Sequence, residues 1–195
     1  MEQFFAYLSR MKYIQRWSLM RSAVTENIQE HSHMTAVIAH ALAVIRRDIC
    51  GVPCDPNEYA VVALYHDASE ILTGDLPTPI KYHSADIQNA YREVEEIANR
   101  KLLATLPEPL QAEFGNMLCG ETHDRVYDLV KAADKLSAYI KCIEERRTGN
   151  DEFVSAEKQT RAAIEAMHLP EADYFLEHFI PAFELTLDEL GTIEE

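Results

Sequence analysis

Apolar residues recur at intervals of three and four along most of the chain, and no stretch alternates apolar and polar residues over the length of a strand. The segment "TENIQEHSHMTAVIAHALAVI" shows the pattern clearly. Thr35, Ile38, Ala39 and Leu42 follow His31 at i+4, i+7, i+8 and i+11, one side of a helix. Only six glycines interrupt runs rich in Ala, Leu, Glu, Lys, Arg and Met, the residues that cost a helix least. The pattern predicts a compact, single-domain, all-α fold with helices over about Gln3 to Ile14, Ile28 to Arg47, Pro56 to Leu72 and Ala85 to Leu106. Four more are expected over Pro109 to Leu118, Arg125 to Arg147, Asp151 to Met167 and Ala172 to Leu190. Asp55 before Pro56 forms an N-cap followed by a first-turn proline, and Ser84 ahead of Asp86 suits a second helix entry. Gly74, Pro77 and Pro79 stop the third helix. The acidic end "LDELGTIEE" is expected to fray.

A chain of 195 residues fills one ordinary domain with a core of its own, and no repeat or linker divides it. Eighteen basic against thirty-three acidic side chains leave a formal charge of -15. That charge opposes a long nucleic acid or an anionic membrane as partner, so a phosphate-bearing ligand has to be small and met by local positive charge. The N-terminus "MEQFFAYLSRMK" lacks the basic and apolar segments of a secretory signal, and the chain is expected to be soluble and cytoplasmic. Cys50, Cys54, Cys119 and Cys142 form no CxxC pair and are expected to be small apolar fillers.

Candidate chemistry gathers where helices should meet. His66, Asp67 and Glu70 end the third expected helix, with residues 66 and 70 one turn apart on a shared face. His31 lies on an apolar stripe, although His33 and His40 share another with Val37 and Val44, and periodicity does not choose between the stripes. Asp134 has Val130 and Ala138 one turn either way, and a carboxylate on an apolar face needs a cation. Two imidazoles and two carboxylates suit a divalent ion such as Mn²⁺, Co²⁺, Fe²⁺, Zn²⁺ or Ni²⁺.

The order His31, His66-Asp67, Asp134 resembles the H…HD…D pattern of the HD-domain metal-dependent phosphohydrolases. Longer motifs are similar to bacterial 5′-deoxynucleotidases of the YfbR type: Arg16-Trp17, "TENIQEHS" from Thr25, "YHDASEILTGDLPTPIKY" from Tyr65, "VKAADKLSAYIKC" from Val130 and "DYFLEHFIPAFELTLDEL". Ser18 and the segment Glu121 to Asp128 depart from that pattern.

The resemblance implies a single HD domain and hydrolysis of deoxyribonucleoside 5′-monophosphates. His31, His66, Asp67 and Asp134 would be ligands of a cobalt, manganese or other transition-metal ion, with Glu70 handling the proton. It also implies that Arg16 holds the phosphate, Trp17 crowds the place of a ribonucleotide's 2′-hydroxyl, and Asp75, Leu76, Pro77 and Thr78 contact the deoxyribose. A homodimer is the family's expected assembly. Physical chemistry agrees with each role: a guanidinium fork fits phosphate, a rigid indole discriminates by clash, and a carboxylate accepts from a 3′-hydroxyl. A triphosphate or cyclic nucleotide substrate would need more positive charge at the mouth than Arg16, Arg21 and Lys81 offer. A non-catalytic metal module is the third reading, and the waiting carboxylate of Glu70 weighs against it.

Overall fold

The computed structural model describes residues 1–81 and 83–191, leaving aside the side chains of Thr78 and Pro79. Among the described residues all regular structure is helical, apart from one isolated antiparallel bridge between Gln15 and Asn27. The all-α expectation holds, with the helix boundaries redrawn.

The centre is a three-helix packing. Helix α2 (Ile28–Asp48) starts on a capping box in which Asn27 accepts from the Gln29 and Glu30 amides and Glu30 returns to the Asn27 amide. Helix α3 (Pro56–Tyr65) starts as the sequence indicates, on the Asp55 cap and Pro56. Helix α8 (Glu121–Arg147) runs through the middle and buries Leu129, Ala133, Leu136 and Ile140 against Ile38 and Leu42 of α2 and Val62 and Ala63 of α3. Helices α9 (Val154–Glu165) and α10 (Pro170–His178) close the far side of this core with Ile164, Phe175 and Leu176. A smaller cluster joins Phe4 of α1 (Phe4–Leu8) and Ala68 to Leu102 of α6 (Ala85–Leu103) and Leu118 of α7 (Glu108–Cys119).

Several expected helices are divided. The first ends at Leu8 and gives way to a 3-10 turn at Met11–Tyr13. The third ends at Tyr65 and resumes only as α4 (Glu70–Thr73), stopped by Gly74 at φ +74°, the left-handed region that glycine enters without penalty. A one-turn helix α5 (Thr78–Lys81) follows where a loop was expected. The Glu121 to Asp128 segment is the first turns of α8, four residues ahead of the expected start at Arg125. The span from Ala172 to Leu190 is α10, a 3-10 turn at Ile180–Glu184 and α11 (Leu187–Leu190). A capping box between Thr186 and Glu189 orders the start of the acidic end, and the fraying expected of the last residues falls at 192–195, outside the described residues. Of the cysteines, Cys142 is buried and Cys50 and Cys54 partly so, but Cys119 is exposed at the end of α7 and is no filler.

Candidate metal centre and substrate pocket

His31 is fully buried on the inward stripe of α2, while His33 and His40 point outward, which resolves the choice periodicity left open. Its Nδ1 lies 3.1 Å from Ser137 Oγ and its Nε2 lies 3.0 Å from Asp134 Oδ1, both on α8. Asp134 and Ser137 are three residues apart, so one face of α8 meets both nitrogens of one ring.

His66 and Asp67 come from the tight turn that divides α3 from α4. Backbone bonds there skip three residues rather than four: Ala68 to Tyr65 at 2.9 Å, Glu70 to Asp67 at 3.0 Å and Leu72 to Ser69 at 3.0 Å. The expectation of one continuous helix with residues 66 and 70 a turn apart is therefore corrected. In three-residue winding, positions i and i+3 eclipse, and this sets Glu70 beside Asp67. The His66 ring is oriented by its Nδ1–H, which donates to the Ala63 carbonyl at 2.7 Å. A carbonyl can only accept, so the neutral ring turns a bare Nε2 inward.

That Nε2 is buried without a hydrogen-bond partner, although Asp67 Oδ2 is 3.2 Å away. His31 Nε2 stands 3.8 Å from the same oxygen. Ligand atoms of His31, His66 and Asp134 all fall within 4.8 Å of one another. Burial alone would lower the pKa of His66, but Asp67 and then Asp134 raise it. Burial opposes ionisation of Asp67 and Asp134 too, yet His66 and His31, with Arg16, hold both below the ordinary carboxylate range. An unpartnered imidazole nitrogen aimed at two ionised carboxylates is the environment of a cation. The mixed nitrogen and oxygen donors fit a divalent transition metal, with His31, His66, Asp67 and Asp134 as the residues able to hold it.

Glu70 is buried at 5 % exposure, and its Oε2 has no hydrogen-bond partner. Burial, then the charges of Asp67 and Asp75, push its pKa up to about 9. Asp75 is also raised, chiefly by burial.

Arg16 and Trp17 reach the centre from the loop between the first 3-10 turn and α2. The loop is closed by the Arg16 amide on the Glu26 carbonyl at 2.9 Å and the Ile28 amide on the Ile14 carbonyl at 3.0 Å. Arg16 Nη1 is 3.5 Å from Asp67 Oδ2. Trp17 has φ 58°, a left-handed conformation that a bulky residue adopts only where its surroundings impose it. Its ring lies 5.2 Å from that of Phe153. The other end of the loop is anchored by Glu145 of α8, which accepts from the Ala23 and Val24 amides at 2.7 and 3.2 Å.

Arg16, Trp17, Asp75 and Pro77 together line a cavity of about 690 Å³ that reaches Asp134 and is backed by Ala138 of α8 and by Ala156 and Ala163 of α9. Leu76 is part-buried and is not in that wall, and the Thr78 side chain lies outside the described residues. A second, more polar cavity of about 670 Å³ meets the centre at His66, Asp67 and Asp134 from the side of α6. Lys81 lines this second cavity, its ammonium 2.9 Å from Glu95, so it is committed to a carboxylate. Three residues went unnoticed in the sequence: Ser137, Glu145 and Glu26. Ser137 and Glu26 both lie inside quoted motifs, but their roles depend on partners from distant segments.

Several solved structures share the fold. An HD-domain phosphohydrolase from Listeria innocua superposes with a TM-score of 0.80 at 24% identity, covering 93% of this chain and 88% of that one. The cyanophage S-2L HD phosphohydrolase, solved with dA and one catalytic Zn²⁺, superposes with a TM-score of 0.65 at 18% identity over 93% of this chain and 96% of that one. The architecture is thus that of the HD-domain phosphohydrolases. The model of the YfbR-like 5′-deoxynucleotidases matches residues 3–183. A 5′-deoxynucleotidase of Vibrio cholerae is 50% identical over 189 residues, 96% of this chain and 97% of the relative. This chain belongs to the YfbR-like 5′-deoxynucleotidase family.

Proposed function

We propose that this chain is a 5′-deoxynucleotidase, a single-domain metal-dependent phosphomonoesterase that cleaves deoxyribonucleoside 5′-monophosphates to deoxyribonucleoside and phosphate. The observation that carries the reading is the bare, buried Nε2 of His66 facing Asp67, with His31 and Asp134 completing the donor set beside a cavity walled by Arg16 and Trp17. Cobalt and manganese are the ions we favour for His31, His66, Asp67 and Asp134. A divalent ion, when bound, neutralises phosphate charge and makes water a usable nucleophile near neutral pH.

The chain's own groups do the rest. Arg16 presents its fork to the phosphate dianion while the flanking carboxylates keep it charged. Once a bound cation offsets the Asp67 and Asp75 charges that raise its pKa, Glu70, unpartnered at Oε2 and eclipsed with Asp67, would take the proton from the attacking water and deliver it to the leaving 5′-oxygen. Trp17 stands where a 2′-hydroxyl would have to fit. Asp75 accepts from the 3′-hydroxyl, with Leu76, Pro77 and Thr78 completing the sugar contacts.

We place the enzyme in the cytoplasm as a homodimer. Four free cysteines suit a reducing compartment, and no helix among the described residues is long and apolar enough to cross a membrane. Exposed Val37 on α2 and Val61 and Leu64 on α3 supply apolar surface for a second copy.

Incubation of the metal-supplemented protein with dAMP, AMP, 3′-dAMP and dATP tests the reading. Phosphate release from dAMP alone supports it. Release from dATP or AMP at equal rates refutes the substrate assignment, and no release from any refutes the activity.

A further inference from the structure

Trp17 Nε1 donates to Glu26 Oε2 at 3.0 Å, and Arg16 Nε lies 3.3 Å from that same oxygen. One carboxylate oxygen thus touches both residues that reach toward the substrate from the loop. We propose that Glu26 is a positioning residue that locks the phosphate-holding guanidinium and the sugar-crowding indole into one register, so that phosphate grip and sugar discrimination are set together. The inference rests on the roles assigned above to Arg16 and Trp17.

The local construction favours this role. Glu26 sits immediately before the Asn27 cap of α2, the helix that carries His31, so its backbone is fixed relative to the metal centre. Its carbonyl accepts from the Arg16 amide at 2.9 Å while its side chain reaches the Arg16 and Trp17 side chains, a main-chain and side-chain grip on one dipeptide. The Glu26 side chain is 15 % exposed and Arg16 14 %, so the contact is largely shielded from water and worth more than a surface pair. Trp17 needs such a hold, because its left-handed backbone and two free side-chain torsions would otherwise let the indole swing away from the sugar. Phe153 supports one side of the ring, and Glu26 fixes the remaining rotation through the Nε1–H.

The two ends of the device separate chemically. In Glu26→Gln an amide oxygen still accepts from the indole, but the charge set against Arg16 Nε is lost and the guanidinium keeps only its carboxylate neighbours on the metal side, Asp67 foremost. In Glu26→Ala both contacts are lost. We expect Glu26→Gln to keep the preference for dAMP over AMP while KM for dAMP rises. Glu26→Ala should lose that preference as well and lower kcat/KM for dAMP by about ten- to a hundredfold, the usual size for a lost hydrogen bond to a charged group. Trp17 is the single tryptophan, so its fluorescence reports this residue alone. Acrylamide should quench it more readily in Glu26→Ala, and Glu26→Gln should stay near the parent. Arg16→Ala and Trp17→Ala serve as reference variants, with thermal melts for all four. If those two leave KM and the dAMP preference unchanged, the pocket assignment fails and the inference with it. If they take effect while Glu26→Ala keeps parental KM, selectivity and quenching, the inference alone is overturned. A Glu26→Gln protein as indiscriminate as Glu26→Ala also overturns it, because the retained acceptor would then be doing nothing.

Discussion

Ser137 Oγ lies 3.1 Å from His31 Nδ1, while Asp134, one helical turn earlier, lies 3.0 Å from the ring's other nitrogen. The two α8 residues therefore fix the orientation of His31: without an ion, Nε2–H donates to the Asp134 carboxylate, which can only accept, and the Ser137 hydroxyl donates to Nδ1; a cation taken at Nε2 would shift the ring hydrogen to Nδ1, where Ser137 Oγ is placed to accept it. Ser137→Ala should weaken metal binding about 10- to 100-fold with little change in fold, the usual cost of losing such an outer partner. Metal content after dialysis, set against far-ultraviolet circular dichroism, checks it. Unchanged affinity would mean that packing alone orients the ring.

Glu70 is a buried carboxyl beside the metal-holding residues, and its Oε2 has no hydrogen-bond partner. Glu70→Gln keeps its shape and removes its capacity to accept a proton, so kcat should fall by about 10²- to 10⁴-fold while the metal stays bound. A metal-loaded variant that turns over at the parental rate would remove Glu70 from the mechanism.

Trp17→Ala should admit ribonucleotides, bringing the ratio of kcat/KM for dAMP and AMP toward one mainly through a gain on AMP. Steady-state kinetics on both substrates decide it. Continued rejection of AMP would place discrimination elsewhere in the cavity.

Glu145 gives a pH signature away from the metal. Burial pushes its carboxyl up, but the amides of Ala23 and Val24, Lys141 and Asn150 together bring it down from 4.5 to about 2. A pKa depressed by folding stabilises above the unfolded value and is lost as pH falls through the folded one. Roughly 3 kcal/mol should therefore disappear between about pH 4.5 and pH 2. Urea unfolding across that window should show the loss in the parent and a flatter dependence in Glu145→Gln. The variant should also be weaker at pH 7, since it leaves the Lys141 ammonium buried without its charge partner.

Removal of the metal by a chelator should abolish phosphate release and lower the melting temperature, because the buried carboxylates of Asp67 and Asp134 then lose a divalent partner and keep only Arg16 and the two imidazoles. Differential scanning calorimetry before and after re-addition of cobalt or manganese tests it.

The helical fold was legible because period, glycine scarcity and caps at Asp55 and Ser84 are local properties, and all of them held. The break between Tyr65 and Glu70 was not. No glycine or proline marks it, and it is written in the His66 bond to the Ala63 carbonyl and the three-residue backbone bonds that follow. His31 could be nominated from its stripe but not preferred over His33 or His40 until α8 was packed against α2.

By itself the sequence determined which residue types were available and which segments would carry them: two histidines, two aspartates and one glutamate among helical stretches, and an Arg-Trp pair ahead of the second helix. Their family pattern further pointed to a phosphohydrolase. Tertiary structure decided which of these groups are brought close enough to hold a cation together and which stand apart. Ser137 and Glu26 acquire meaning only through partners brought from elsewhere, across α2 and α8 in one case and across a closed loop in the other. Periodicity reports which side of an element is buried, whereas coordination and positioning depend on distances between elements, which only packing sets.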